Sequence, residues 1–149
     1  MVVANANGPI ENRERDQAVA VTLNETARRL LDGRNFATVA TINPDGGPQS
    51  SVVWVTREGD SVLFSVLARR RKARNLARDP RVSVTLFDLA NPYESVEIRG
   101  TAELTEDPDK SLSITLSRKY VGEDPPPDPE GETRLIVRVM PEKINTFRA

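Results

Sequence analysis

Between Phe36 and Phe147 the chain alternates short runs of β-branched and apolar residues with clusters of turn residues. No other feature narrows the possible folds as much. Phe36–Ile42 (FATVATI) alternates with period two, the mark of a half-buried strand. Asn43-Pro44-Asp45-Gly46-Gly47 is dense turn chemistry, because proline fixes φ and glycine accepts positive φ. Gln49–Thr56 (QSSVVWVT) returns as a second strand and completes a hairpin. After a turn at Arg57–Asp60, Ser61–Leu67 is a third strand and Val82–Asp88 a fourth. A loop at Asn91-Pro92 leads to a fifth, Ser95–Leu104; Thr133–Met140 is a sixth, with Lys143–Phe147 extending the sheet.

Three segments carry helical spacing instead. Thr22-Leu23-Asn24-Glu25 reads as a capping box ahead of Leu23, Ala27, Leu30 and Leu31, which share one helix face, with Gly33 as the stop. Ala73, Leu76 and Ala77 mark a short helix limited by Pro80. Asp107-Pro108 opens a third, with Leu112, Leu116 and Tyr120 stacked. Glu123–Glu132 (EDPPPDPEGE) cannot hold regular structure and reads as a surface connector. Strands joined by tight turns, with two or three helices between them, predict a mainly β, mainly antiparallel sheet closing into a barrel. Regular βαβ alternation, the mark of a parallel sheet, is absent.

At 149 residues the chain is read as one domain, residues 21–149, behind a polar leader, residues 1–20. That leader lacks a basic start followed by an apolar stretch, and no run approaches a membrane span of about 18 apolar residues. There is no cysteine, hence no disulfide framework, and the expected location is cytoplasmic. There is also no histidine. Ser-His-Asp and Cys-His nucleophile systems are therefore excluded, as are histidine-ligated zinc and haem. Chemistry must come from carboxylates, lysine, tyrosine or a bound cofactor that brings its own reactive atom.

Charge is unevenly placed. Arg69–Arg81 (RRRKARNLARDPR) holds seven of the twenty-one basic residues and a single acid, leaving fourteen basic against twenty-one acidic residues elsewhere. The window follows directly on the third strand and opens a helix. A helix start offers free backbone N–H groups and a partial positive end. Arg70, Arg71 and Lys72 add guanidinium forks and an ammonium, a donor set for phosphate or carboxylate. A solvated helix face competes with that reading. Nucleic-acid binding is disfavoured, because the chain is not basic overall and has few aromatics.

Three strings in order carry a resemblance. Arg71-Lys72-Ala73-Arg74-Asn75-Leu76, followed by Asp79-Pro80-Arg81-Val82, resembles the signature of the split β-barrel flavin and deazaflavin enzymes, the pyridoxamine-phosphate-oxidase-like superfamily. The hairpin Ala40–Gln49 resembles its "A-T-x-x-x-D-G-x-P" element, and Val96–Ala102 its "x-x-x-x-G-x-A" strand. The resemblance runs from about Leu30 to the C-terminus. It implies a six-stranded antiparallel split β-barrel that forms a homodimer, with cofactor sites at the interface. Arg70, Arg71 and Lys72 match positions that grip the cofactor phosphate, and Asn75 supports that end. Ser65, with Gln49, Ser50 and Ser51, matches positions lining the ring and ribityl chain. Tyr93 falls where relatives place an aromatic residue near the partner's cofactor.

The basic string starts with arginine where flavin-using relatives typically carry Ser or Thr. That favours a ligand with more negative charge and points to the actinobacterial branch using coenzyme F-420. The implied activity is hydride transfer to a small conjugated or aromatic substrate. An FMN-dependent oxidase or reductase, or a non-catalytic cofactor-binding protein, is the alternative. Pyridoxamine-phosphate oxidation is not expected of a short chain with no histidine to hold that substrate. Hydride transfer needs position and a shielded pocket more than an acid–base side chain, so a chain without histidine or cysteine can perform it. Among other residues, Trp54 reads as core or dimer packing rather than a substrate wall, and Arg118-Lys119 as a solvated helix face. Glu97 and Arg99 alternate with Val96 and Ile98 and face away from the core.

Overall fold

The structure, a computed structural model, describes residues 21–149; the expected leader lies outside the described residues. In chain order the elements are α1 (Glu25–Asp32), β1 (Ala37–Ile42), β2 (Pro48–Val53), β3 (Thr56–Glu58), β4 (Ser61–Leu67), α2 (Arg71–Arg78), β5 (Arg81–Asp88), β6 (Asn91–Glu106), α3 (Ser111–Val121) and β7 (Arg134–Arg148). All strand pairings are antiparallel, in one sheet of order β2-β1-β5-β6-β7-β4-β3. The strands number seven, not six. The expected second strand breaks at Trp54-Val55, and its halves pair with different partners: β2 with β1, β3 with β4. These two halves are the edges of the sheet yet are joined by only those two residues. The sheet therefore curls until its edges are bridged by covalent chain instead of a ladder, a barrel with a split.

Alternation along the strands builds the interior. Val39, Val62, Phe64, Val84, Ile98, Val137 and Val139 are fully buried inside the curl. α1 closes one part of it with Leu23, Ala27, Leu30 and Leu31, all buried as the spacing requires, and α2 contributes Ala73 and Leu76. Ala77, expected on the same face, is exposed, and Asn75 is buried instead. α1 starts two residues later than expected: Asn24 is the N-cap, accepting from Ala27 N at 2.9 Å, so Thr22 does not act as the cap. α3 lies on the outer face of β4 and β7, where Leu112 and Leu116 pack on Leu63 and Ile136. It begins at Ser111, not at Asp107-Pro108. The buried Asp107 carboxylate reaches forward to accept from Ser111 N and Leu112 N at 3.0 Å, satisfying donors that the helix start leaves open.

β6 and β7 run longer than expected and pair along most of their length, with a register shift after Arg99. Gly100 sits at that irregularity, and a Cβ there would collide with the Met140 carbonyl oxygen. Only glycine lets the two backbones approach so closely. Glu97 and Arg99 do face away from the core, but they pair with each other at 3.1 Å within one chain. Among the described residues no helix is long and apolar enough to cross a membrane.

Candidate functional site

The outer face of β4 and β7 is only partly covered by α3. Beside α3 a cleft of about 580 Å³ opens between the end of β2, the outer face of β4, the start of α2 and the first residues of the proline-rich loop. Alternation decides which β4 side chains reach it: Val62, Phe64 and Val66 fill the barrel, so Leu63 and Ser65 face outward. Leu63 is taken by α3, and Ser65 is left to line the cleft.

The three-residue link Ala68-Arg69-Arg70 turns β4 into α2 and places Arg70 and Lys72 at the cleft mouth. Arg70 is the N-cap position of α2, with no side-chain cap and no acid in the first turn. The helix-start donors are thus available to a ligand or water. Burial pushes the Lys72 ammonium below its ordinary pKa, and the neighbouring Arg70 charge pushes it the same way. Neither Arg70 nor Lys72 has a carboxylate partner among the described residues. Two crowded, uncompensated cations beside open helix N–H groups can hold an anion.

Of the nine residues singled out in sequence, the fold brings Ser51, Ser65, Arg70 and Lys72 to this cleft. Ser51 Oγ is buried there without a hydrogen-bond partner, a polar group that a ligand would satisfy. The other five lie elsewhere. Gln49 accepts from Thr41 Oγ1 at 2.6 Å, and Ser50 is on the exposed face of β2. Arg71 is exposed on the first turn of α2. Asn75 is fully buried and donates to Thr41 Oγ1 and Asn43 Oδ1, both at 3.0 Å, which ties α2 to the first hairpin. Tyr93 stands exposed at the start of β6.

Several cleft residues escaped the sequence reading. Arg134, at the start of β7, reaches in and donates to Ser65 Oγ at 3.4 Å while paired with Asp128 at 2.5 Å. Nothing in the sequence marks it apart from other strand arginines. Glu123–Pro126 form one wall, so this end of the proline-rich segment is more than a connector. Trp54 does pack, stacked on Tyr120 with centroids 5.3 Å apart and planes at 5°, but it also lines the cleft. Its place at the break between β2 and β3 explains both roles. Lys119 is not solvated as expected: it is half-buried and donates to Leu31 O at 2.6 Å and Val55 O at 2.7 Å. Burial lowers its pKa to about 8, with Asp32 pulling the other way.

The fold is thus a split antiparallel barrel with an uncompensated cationic mouth over a partly apolar cleft. The family model described as pyridoxamine 5'-phosphate oxidase matches residues 23–148, and the chain belongs to that family, the pyridoxamine-phosphate-oxidase-like split barrels. These are flavin- or deazaflavin-binding oxidoreductases. Over 69 residues, 46% of this chain, it is 39% identical to a pyridoxine/pyridoxamine 5'-phosphate oxidase of Kineococcus radiotolerans. That stretch spans only 30% of the relative's length. Among solved structures, an F-420 reductase superposes with a TM-score of 0.74 at 30% identity, covering 83% of this chain and 98% of that one. A conserved hypothetical protein of Mycobacterium tuberculosis follows at 0.69 and 26%, covering 88% of each chain. General Stress Protein 26 of Bacillus anthracis shares the fold, at 0.62 and 20% identity, covering 83% and 92%.

Proposed function

We propose that this protein is an oxidoreductase that binds coenzyme F-420 and passes hydride to a small conjugated or aromatic substrate. The observation that carries it is the pair of uncompensated cations, Arg70 and Lys72, at the mouth of a cleft containing Ser65 and the unpartnered Ser51 hydroxyl. Arg70, Lys72 and the first N–H groups of α2 hold the phosphate; Ser51 and Ser65 hydrogen-bond nearer the ring. Arg71 stays within reach of the ligand's anionic tail from the first turn of α2. The F-420 reductase among the similar structures supports this choice of cofactor. When bound, the deazaflavin supplies the hydride, and the protein supplies placement and exclusion of water.

The active form is a homodimer in a cytoplasmic setting. Val52, Phe87, Tyr93 and Phe147 leave large apolar side chains exposed on the described surface, material for a contact with a second copy. In that dimer Gln49, Ser50 and Tyr93, which do not line the chain's own cleft, meet the partner's cofactor, and Asn75 serves by holding α2 in place. Fluorescence titration with purified coenzyme F-420 is the test, and lack of binding at tens of micromolar removes the proposal. FMN is the second reading, favoured by the match to the Kineococcus oxidase. A protein that purifies yellow and keeps FMN through gel filtration establishes it instead. Binding without turnover across quinone and enone acceptors marks a cofactor carrier.

A further inference from the structure

We propose that Arg134 and Ser65 form a donor pair that grips one carbonyl oxygen of the bound ligand, deeper in the cleft than its phosphate. The inference rests on the cofactor reading above and assigns a specificity residue outside the basic string.

The register places the two side chains together. β4 and β7 pair with Ser65 opposite Ile136 and Leu67 opposite Arg134, so Ser65 and Arg134 are diagonal neighbours on the outer face. Both line the cleft. A guanidinium carries five donors in a rigid fork. Asp128 takes one edge of it, Nε to Oδ2 at 3.1 Å and Nη2 to Oδ1 at 2.5 Å. The corner left over, Nη1, meets only Ser65 Oγ, at 3.4 Å, the outer limit of a hydrogen bond. The ion pair itself is shielded, with side-chain exposures of 19% and 16%.

Two donors at this corner remain unused. Ser65 Oγ accepts from Nη1, so its own O–H is free, and Nη1 keeps a second hydrogen. A carbonyl oxygen has two lone pairs and can take both. Charge selects the same partner. Asp128 already neutralises Arg134, so this corner does not need an anion, whereas Arg70 and Lys72 do. The cleft is thereby graded, with a phosphate end at the α2 start and a neutral acceptor end at β7. The competing account is that Arg134 serves only to anchor the proline-rich loop through Asp128. That account gives Ser65 no part.

The test is a double-mutant cycle on ligand affinity, using wild type, Ser65→Ala, Arg134→Lys and the double variant titrated with coenzyme F-420, with the thermal midpoint followed alongside. Lysine keeps the charge and loses the fork. Arg134→Lys is expected to weaken binding about tenfold and Ser65→Ala about threefold, from a net hydrogen-bond contribution near 1 kcal/mol. The double variant should be no weaker than Arg134→Lys alone, because the two donors share one oxygen. Both single variants within about twofold of wild type, or losses that multiply independently, overturn the proposal. Should Arg134→Lys fail to fold, Ser65→Ala decides: unchanged affinity overturns it. If wild type ignores coenzyme F-420, the proposed function falls, and the same four proteins titrated with FMN test the donor pair by itself. Binding of neither by wild type overturns both.

Discussion

One group of cations is paired along the proline-rich loop and another gathers at the start of α2, each with members in the cleft, and the fold treats them differently. Along the proline-rich loop, each arginine has its own carboxylate: Arg69 with Glu132 at 2.6 Å, Arg118 with Asp124 at 2.6 Å, and Arg134 with Asp128 at 2.5 Å. At the start of α2, Arg70, Arg71, Lys72 and Arg74 have none among the described residues. The first group pins a segment that has no regular secondary structure. The second leaves like charges close together, and Lys72 lies below its ordinary pKa through burial first and the neighbouring Arg70 charge second. An arginine neutralised within the chain is a structural tie, while uncompensated cations are relieved only by water or an incoming anion.

The largest effect expected from that contrast comes from removing Arg70 and Lys72 together. If they hold the ligand phosphate, the double alanine variant should lose about a hundredfold or more in affinity for coenzyme F-420 while keeping its thermal midpoint. A midpoint that falls with the affinity would break the division between the two groups.

Lys119 sharpens it from the other side, since it is a cation tied to backbone instead of to a carboxylate. Lys119→Met should cost about 1–3 kcal/mol in urea unfolding, because the Leu31 and Val55 carbonyls lose a donor in a half-buried place. Tyr120 gives its single O–H to Asn35 O at 2.5 Å and accepts from Val55 N at 3.2 Å, so it still ties this segment when Lys119 is gone and the loss is expected to be partial.

A smaller effect is read in pH. Lys72 lies below its ordinary value of 10.5 because of burial first and Arg70 second. The protonated form attracts an anion, so affinity is full at neutral pH and declines as pH rises through the lowered Lys72 pKa. That decline should begin before the ordinary lysine range and move to higher pH in Arg70→Ala, in a titration series from pH 7 upward. A decline that does not respond to Arg70→Ala separates the two residues.

The smallest effect belongs to the exposed tie. Asp124→Asn removes the partner of Arg118, and both are well exposed. Such pairs contribute little, so no resolvable change in thermal midpoint or ligand affinity is expected. A clear loss of affinity would show that this end of the loop does more than form a wall.

Most of the β pattern was legible locally. Ser61–Leu67 forms over its expected bounds, and the apolar face of α1 is buried residue for residue. Period-two and period-3.6 patterns report burial directly, and burial is what the sheet and helices are built to achieve. The break at Trp54-Val55 was not legible, because QSSVVWVT carries no glycine or proline to mark it. The break shows only in the long-range pairing, with the residues before it on β1 and those after it on β4. Arg134 was hidden for a related reason. Its relation to Ser65 spans 69 positions and exists only through the β4–β7 register.

By itself the sequence determined the alternation, the turns, the basic string and, through the lack of histidine and cysteine, which chemistries are closed to the side chains. Tertiary structure decided which cations stay uncompensated, which β4 side chain faces the cleft, and that the segment after α3 forms a wall of it. Those outcomes depend on distances between residues far apart in the chain. Local spacing specifies elements, but charge pairing and concavity arise only after the elements pack.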